Sequence, residues 1–411
     1  MSGIRDREVV VTGVGICCHM GDDIAHVMAA LRSGRNEPFT RYPEADEYGC
    51  RCRIIGMYPG ALELDQLGIS KQQARFMGRA SLLGLRAARA ALSQSGVSDE
   101  RMAVVVGSGT GDVATHRQID HVLNSTGSAR RIPPTVVPRL MGSTVSANLV
   151  NVLETKGPSF TATAACATGP YNLLLGAGLI ERGHADTVLA GGIEAADIHY
   201  FVGFDSMRAY NGQDNERPDR ASRPYAEDRA GFIFSEGAGL VVLEARAAAE
   251  ARGAEILGTL VGYGMSSDGK GSMVAPDADG AFAAMSSALS HAGVDAAAIE
   301  YVNTHGTSTP VGDLSEVRAM RRLFDGRKVP YSSIKGYTGH SVSAAGVIEA
   351  IAVWQMLREG WISPCVNADP LDPELADYPP VLAPVEQSMS MALSNSFGFG
   401  GTNVSLVLGR G

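Results

Sequence analysis

The chain has 411 residues, of which 45% are hydrophobic and 19% charged, a composition that supplies a large buried core and excludes a disordered chain. The formal net charge of −9 argues against nucleic acid as the main partner, because phosphate binding needs a basic surface; it leaves room for a local basic patch facing an acidic protein. No apolar run approaches the roughly 20 residues of a membrane-crossing helix, and Met1 to Val10 carries no basic-then-apolar leader, so no membrane is expected and the cell interior is the expected location.

In chain order, Arg7 to Val14 reads as a buried strand ending in a glycine turn. Residues 80–95 (ASLLGLRAARAALSQS) have helical apolar spacing, and Met102 to Val106 is the next strand. The glycines at 107, 109 and 111 follow that strand, but they lack the full spacing of a dinucleotide loop and the acidic residue that should come later. Thr187 to Gly192 and Leu240 to Glu244 are further strands. Continuous apolar strands flanked by helices predict a sheet covered on both faces. A helical stretch near Ala245–Gly253 then leads into a second copy of the plan. Ile256 to Gly264 opens it as Arg7 to Gly15 opened the first, Gly280 to Ala292 is its long helix, and Met391 to Leu408 closes it with two strands around a glycine-rich turn. The expectation is two similar α/β halves, residues 1–250 and 251–411. Asn211 to Arg229, polar and with two prolines, is expected to be a surface loop. The cysteines at 17, 18, 50, 52, 166 and 365 have no zinc-type spacing, so free buried thiols and no metal are expected.

Four segments could carry chemistry. In residues 161–169 (TATAACATG), small residues flank Cys166 between an apolar strand and the helical run Tyr171 to Ile180. Such a turn places a sulfur where unpaired N–H groups and the helix dipole favour a thiolate and can hold an oxyanion. Taken alone, a buried structural cysteine reads equally well. His305 stands in NTHGTSTP (303–310), before Gly312 and Asp313. Lys335 and His340 share KGYTGH (335–340), which leads into the helix Val347 to Leu357. A lone histidine, even in such a loop, reads more readily as core filler than as a ligand or donor. The fourth segment, NSFGFGGTN (395–403), is a turn that brings backbone N–H groups close to a bound group.

Together these segments resemble, in identity, order and spacing and over the whole chain, the elongating β-ketoacyl-acyl-carrier-protein synthases of the thiolase superfamily. The resemblance implies a thiolase-like α/β fold of two halves with mixed sheets in α-β-α-β-α layers. It implies an acyltransferase that holds an acyl chain on Cys166 and condenses it with malonyl carrier protein, in fatty-acid elongation. The alternatives are a ketosynthase of a specialised polyketide or polyene pathway, or a chain-length-setting partner, which would be expected to have lost the nucleophile. His305 and His340 would donate hydrogen bonds to the malonyl carbonyl. The N–H groups of Cys166 and Phe399 would form the oxyanion hole. Lys335 with Glu316 would order the site, and Asp313 would support it from behind. The same resemblance assigns the phosphopantetheine arm to Thr307 and Thr309, the entrance to Phe399 and Phe232, and the far end of the acyl tunnel to Thr110. It assigns carrier docking to Lys71, Arg75, Arg130, Arg131 and Arg208. It implies no cofactor beyond the carrier's own arm, and a homodimer, with a same-fold partner chain as the alternative. A degradative thiolase would carry a second reactive cysteine in the C-terminal glycine turn, and an initiating enzyme would have Asn in place of His340. Departures from the pattern are Gly169, Ser343 (usually Gly) and Tyr337 (often Met), and all three bear on pocket shape.

Overall fold

The computed structural model describes residues 7–411; the first six residues of the Met1 to Val10 reading lie outside the described residues. Among the described residues ten strands form one sheet. The first five are β1 (Val9–Cys17), β2 (Ala103–Ser108), β3 (Ser159–Phe160), β4 (Thr187–Glu194) and β5 (Gly237–Ala245). The other five are β6 (Gly258–Ser267), β7 (Tyr301–Asn303), β8 (Tyr331–Ser332), β9 (Met391–Gly398) and β10 (Thr402–Arg410). The spatial order is β3-β2-β4-β5-β1-β6-β10-β9-β7-β8, so each set of five is arranged third-second-fourth-fifth-first. Directions repeat as well. β2 runs parallel to β3 and β4, while β5 is antiparallel to β4 and β1. β7, β8, β9, β10 and β6 copy that pattern. The two sets join antiparallel at Val10–Thr259 and Val11–Gly258, making one mixed sheet rather than two separate ones.

Six helices repeat in step with the strands: α1 (Arg79–Ser95), α2 (Thr144–Leu153), α3 (Thr168–Glu181), α4 (Ala278–Ala292), α5 (Pro310–Leu323) and α6 (Ala345–Glu359). α3 and α6 share the central apolar core with alternate residues of β1 and β2, among them Val9, Val11, Ala103 and Val105. α1 and α2 pack on the other face of the first half through Leu83, Leu85 and Leu149. α4 and α5 cover the second half through Met285, Val317 and Met320. The two five-stranded halves of the sheet therefore lie on either side of α3 and α6, giving the order helix, strands, helix, strands, helix. Because α6 lies between two sheet faces, it is apolar on nearly every side.

β1 does not end at its glycines as expected; it runs straight on to Cys17, buried throughout. The glycines are there for close approach. A Cβ on Gly13 would lie 2.1 Å from the carbonyl oxygen of Ala91, and one on Gly15 2.0 Å from that of Ala87, so α1 touches the strand backbone. The repeat preserves the device in β6, where a Cβ on Gly264 would meet the Ala284 oxygen of α4 at 2.2 Å.

The expected surface loop at 211–229 is a loop, but much of it is buried, including Asn211, Asp214, Arg223, Tyr225 and Arg229. Its charges pair internally instead of facing water: Arg229 Nη1 lies 2.7 Å from Asp372, and Arg223 Nη1 3.0 Å from Asp228. All six cysteines are free and buried. Among the described residues no helix is long and apolar enough to cross a membrane.

Candidate active site

The four chemistry-bearing segments all follow the C-terminal ends of strands or open a central helix, so the repeat brings them to one place. Cys166 lies in the 3₁₀ turn Ala165–Ala167 directly before α3. Ala165 takes a left-handed φ of 46°, a conformation uncommon for alanine, and this bend presents the sulfur. His340, in the matching segment before α6, places Nε2 3.0 Å from Cys166 Sγ. His305 follows β7, and its ring meets that of His340 nearly edge to face, with centroids 5.4 Å apart. The reactive atoms of the three side chains lie within 4.8 Å of one another; they are also the one trio of metal-type donors among the described residues.

Burial dominates the electrostatics. It pushes the Cys166 thiol up to about 12, against the opposing influence of the Lys335 ammonium and of the N–H groups of Phe399 and Cys166. Burial thus opposes the thiolate that the helix-terminus position favours. The same two amides are the pair expected to receive an oxyanion, and both are directed at the sulfur. Burial, reinforced by Lys335, holds both imidazoles well below the ordinary histidine value, so His305 and His340 are neutral. The Nδ1 atom of each is buried without a partner.

Lys335 and Glu316 both hold the loop that carries His305. Lys335 Nζ forms a buried ion pair with Glu349 and donates to the carbonyl oxygen of His305 at 2.6 Å. Glu316 grips the same loop from its amides, accepting from His305 N–H at 2.9 Å and Gly306 N–H at 3.0 Å, and from Asn395 Nδ2 at 3.0 Å. Burial raises its carboxyl to about 7. Asp313 accepts from Tyr225 N–H at 2.9 Å and Thr309 N–H at 3.3 Å and faces Arg229, tying the 211–229 loop to the start of α5. Glu349 and Asn395 were not singled out in the sequence. Glu349 had a signal, since it is the lone charge in the apolar run 347–357.

A cavity of about 390 Å³ opens onto Cys166, His305 and His340. Thr307 and Thr309 line it with their hydroxyls 3.1 Å apart, and Phe399 and Arg208 line it too. Phe232 also contributes, but it is buried against the His340 ring, centroids 5.1 Å apart, rather than standing at the entrance. Thr110 does not line this cavity; its hydroxyl donates to Glu194 at 3.1 Å. Of the five docking candidates, only Arg208 borders the cavity. Lys71 and Arg75 lie at the short helix Lys71–Ala74, beside a separate groove lined by Gln72, Gln73 and Phe76. Arg130 and Arg131 lie in the turn Ala129–Arg131. All five are exposed.

A doubled α/β unit that turns one cysteine toward two neutral histidines defines a condensing enzyme of the thiolase fold. Residues 6–249 match the family model described as the N-terminal domain of β-ketoacyl synthase, and residues 257–369 match its C-terminal domain. The chain is 37% identical over 409 residues to 3-oxoacyl-[acyl-carrier-protein] synthase 1 of Escherichia coli, covering 98% of each chain. It superposes on a crystal structure of a β-ketoacyl synthase from Burkholderia phymatum with a TM-score of 0.92 at 33% identity, covering 98% of this chain and 100% of that one. It also matches the ishigamide ketosynthase/chain length factor, TM-score 0.88 at 30% identity, covering 98% of this chain and 99% of the other. The chain belongs to the β-ketoacyl synthase family.

Proposed function

We propose that this enzyme is a 3-oxoacyl-[acyl-carrier-protein] synthase that condenses an acyl group held on Cys166 with malonyl carrier protein, in fatty-acid elongation. The observation that carries this reading is the 3.0 Å approach of His340 Nε2 to Cys166 Sγ beside His305, with both rings neutral. The two halves, 1–250 and 251–411, would supply the nucleophile and the two histidines respectively. Cys166 Sγ attacks the acyl thioester, the carrier's sulfur leaves, and the thiol proton passes to it. The malonyl thioester then enters. Its carboxylate C–C bond breaks, carbon dioxide departs, and the electron pair forms an enolate whose oxygen takes hydrogen bonds from His305 and His340. The enolate carbon attacks the acyl carbonyl, whose developing oxyanion is held by the N–H groups of Cys166 and Phe399. The C–S bond breaks, and the released sulfur takes up one proton. Lys335 acts through the His305 carbonyl and its own fixed charge, and Glu316 and Asp313 hold the loop. No cofactor or metal is assigned beyond the arm carried by the partner, which Thr307 and Thr309 would hydrogen-bond. A cytoplasmic location goes with these substrates.

Purified protein given acyl carrier protein substrate and malonyl carrier protein should yield 3-oxoacyl carrier protein and carbon dioxide in a one-to-one ratio. Carbon dioxide without the longer product would count against condensation. The similarity to the ishigamide ketosynthase/chain length factor favours, as a second reading, a ketosynthase of a specialised polyketide or polyene pathway; the same assay with polyunsaturated acyl carriers separates the two. Retention of Cys166 speaks against a chain-length-setting subunit.

Homodimerisation is proposed from β3, one of the two edge strands of the sheet, which has a neighbour on one side only. Exposed Val137 and Met141 add apolar surface. An acidic carrier protein would dock on Lys71, Arg75, Arg130, Arg131 and Arg208. The support is that these exposed cations, on a chain of net charge −9, have no carboxylate in ion-pair range among the described residues. Exchanging Arg130 and Arg131 for Glu should raise KM for carrier-borne substrates by about fivefold or more and leave small thioester mimics unaffected. Equal effects on both substrate types would remove the docking assignment.

A further inference from the structure

Glu194, the last residue of β4, is a fully buried carboxyl group that the reaction as described does not use. Its partners are uncharged donors: Ser343 Oγ at 2.7 Å, Thr110 Oγ1 at 3.1 Å, Gly109 N–H at 3.3 Å and Ser343 N–H at 3.4 Å. Among the described residues no cation accompanies it. A buried acid without a counter-ion is costly, and four converging donors offset that cost only if the two segments that carry them keep their places.

Those segments are the ones that assemble the site. Ser343 stands three residues after His340, and its carbonyl oxygen accepts the N–H of Gly169, three residues after Cys166, at 3.1 Å. Gly109 and Thr110 form the turn that follows β2. The fit there is tight: a Cβ on Gly109 would lie 2.7 Å from Glu194 Oε2, 3.0 Å from Ser343 Oγ and 3.4 Å from Tyr200 Oη.

Resting on the condensation reading above, we propose that Glu194 is a positioning residue which, through Ser343, holds the His340 segment, the Cys166 turn and the 108–111 turn as one unit. Its charge also reaches the nucleophile, disfavouring the thiolate. The ionisable groups that face it from the neighbouring elements are Cys166, Tyr200 and, beyond them, Tyr210.

The test uses Glu194→Gln, Ser343→Gly and the double variant. Condensation kcat and the KM for malonyl carrier protein are measured together with the pH dependence of Cys166 alkylation by iodoacetamide. Glu194→Gln should lower kcat about tenfold and change KM less than twofold, because it disturbs alignment rather than binding. Its alkylation midpoint should move to lower pH, since a negative neighbour has been removed; a purely structural role would not move it that way. Ser343→Gly, which removes no charge, should reproduce the kcat loss, and the double variant should be no worse than either single one. An unmoved or raised midpoint, unchanged kcat, or additive losses would overturn the proposal. If the unaltered enzyme itself formed no 3-oxo product, the condensation reading would fail, while the alkylation midpoints would still decide the role of Glu194.

Discussion

Replacing Glu349 by alanine is expected to destabilise the folded enzyme by about 3–5 kcal/mol, the largest single-site stability loss anticipated here. Both members of the Lys335–Glu349 pair are 1% exposed, and the ammonium has one other acceptor, the His305 carbonyl oxygen. Without Glu349 an ammonium is left in an apolar helix layer with no carboxylate in ion-pair range. The reverse deletion is gentler. In Lys335→Met the stranded carboxyl, already raised by burial, takes up a proton and becomes neutral. The double variant Lys335→Met/Glu349→Met should recover most of the stability, because apolar side chains of similar volume replace a buried ion pair at little cost. It should not recover activity, because the cation behind His305 is gone. Urea midpoints beside rates of malonyl decarboxylation separate the two effects. If Glu349→Ala unfolded at the same urea concentration as the unaltered chain, the pair would not have the structural role assigned to it.

The difference between Glu349 and Cys166 shows what the sequence made legible. Cys166, His305, His340 and the 395–403 turn are each embedded in a local pattern of small residues, so each marks itself. The thiolase-like double repeat was legible for a related reason: β1 and β6 carry glycines at matching places, and strand and helix alternate in the same order twice. What those glycines do was misread, because a glycine at a turn and a glycine under a helix backbone look alike in one dimension. The 211–229 loop was misread as solvated because composition records charges without their partners, and Arg229 finds Asp313 and Asp372 far along the chain. The partner of Lys335 was missed for a similar reason. Lys335 and Glu349 lie on different elements, and only the burial of α6 between two sheet faces shows that its one buried charge must be neutralised.

Cys166→Ala is expected to abolish condensation, by on the order of 10³-fold or more, while carbon dioxide release from malonyl carrier protein persists. Decarboxylation needs a polarised carbonyl and a place for the enolate, both supplied by His305 and His340; it does not need a nucleophile. Cys166→Gln should behave the same way, because its amide oxygen reaches the N–H groups of Phe399 and residue 166, where the acyl carbonyl would sit. His305→Ala and His340→Ala should lose both activities. Near-normal elongation by Cys166→Ala would refute the assignment, whatever else the enzyme does.

The most direct measurement omits the second substrate. The enzyme is incubated with acyl carrier protein alone, digested, and mapped by mass spectrometry. The account predicts one acyl group per chain, on the peptide containing Cys166, discharged as a longer 3-oxo product when malonyl carrier protein is added. An acyl group on another residue, or condensation that proceeds with Cys166 unmodified throughout, would contradict it.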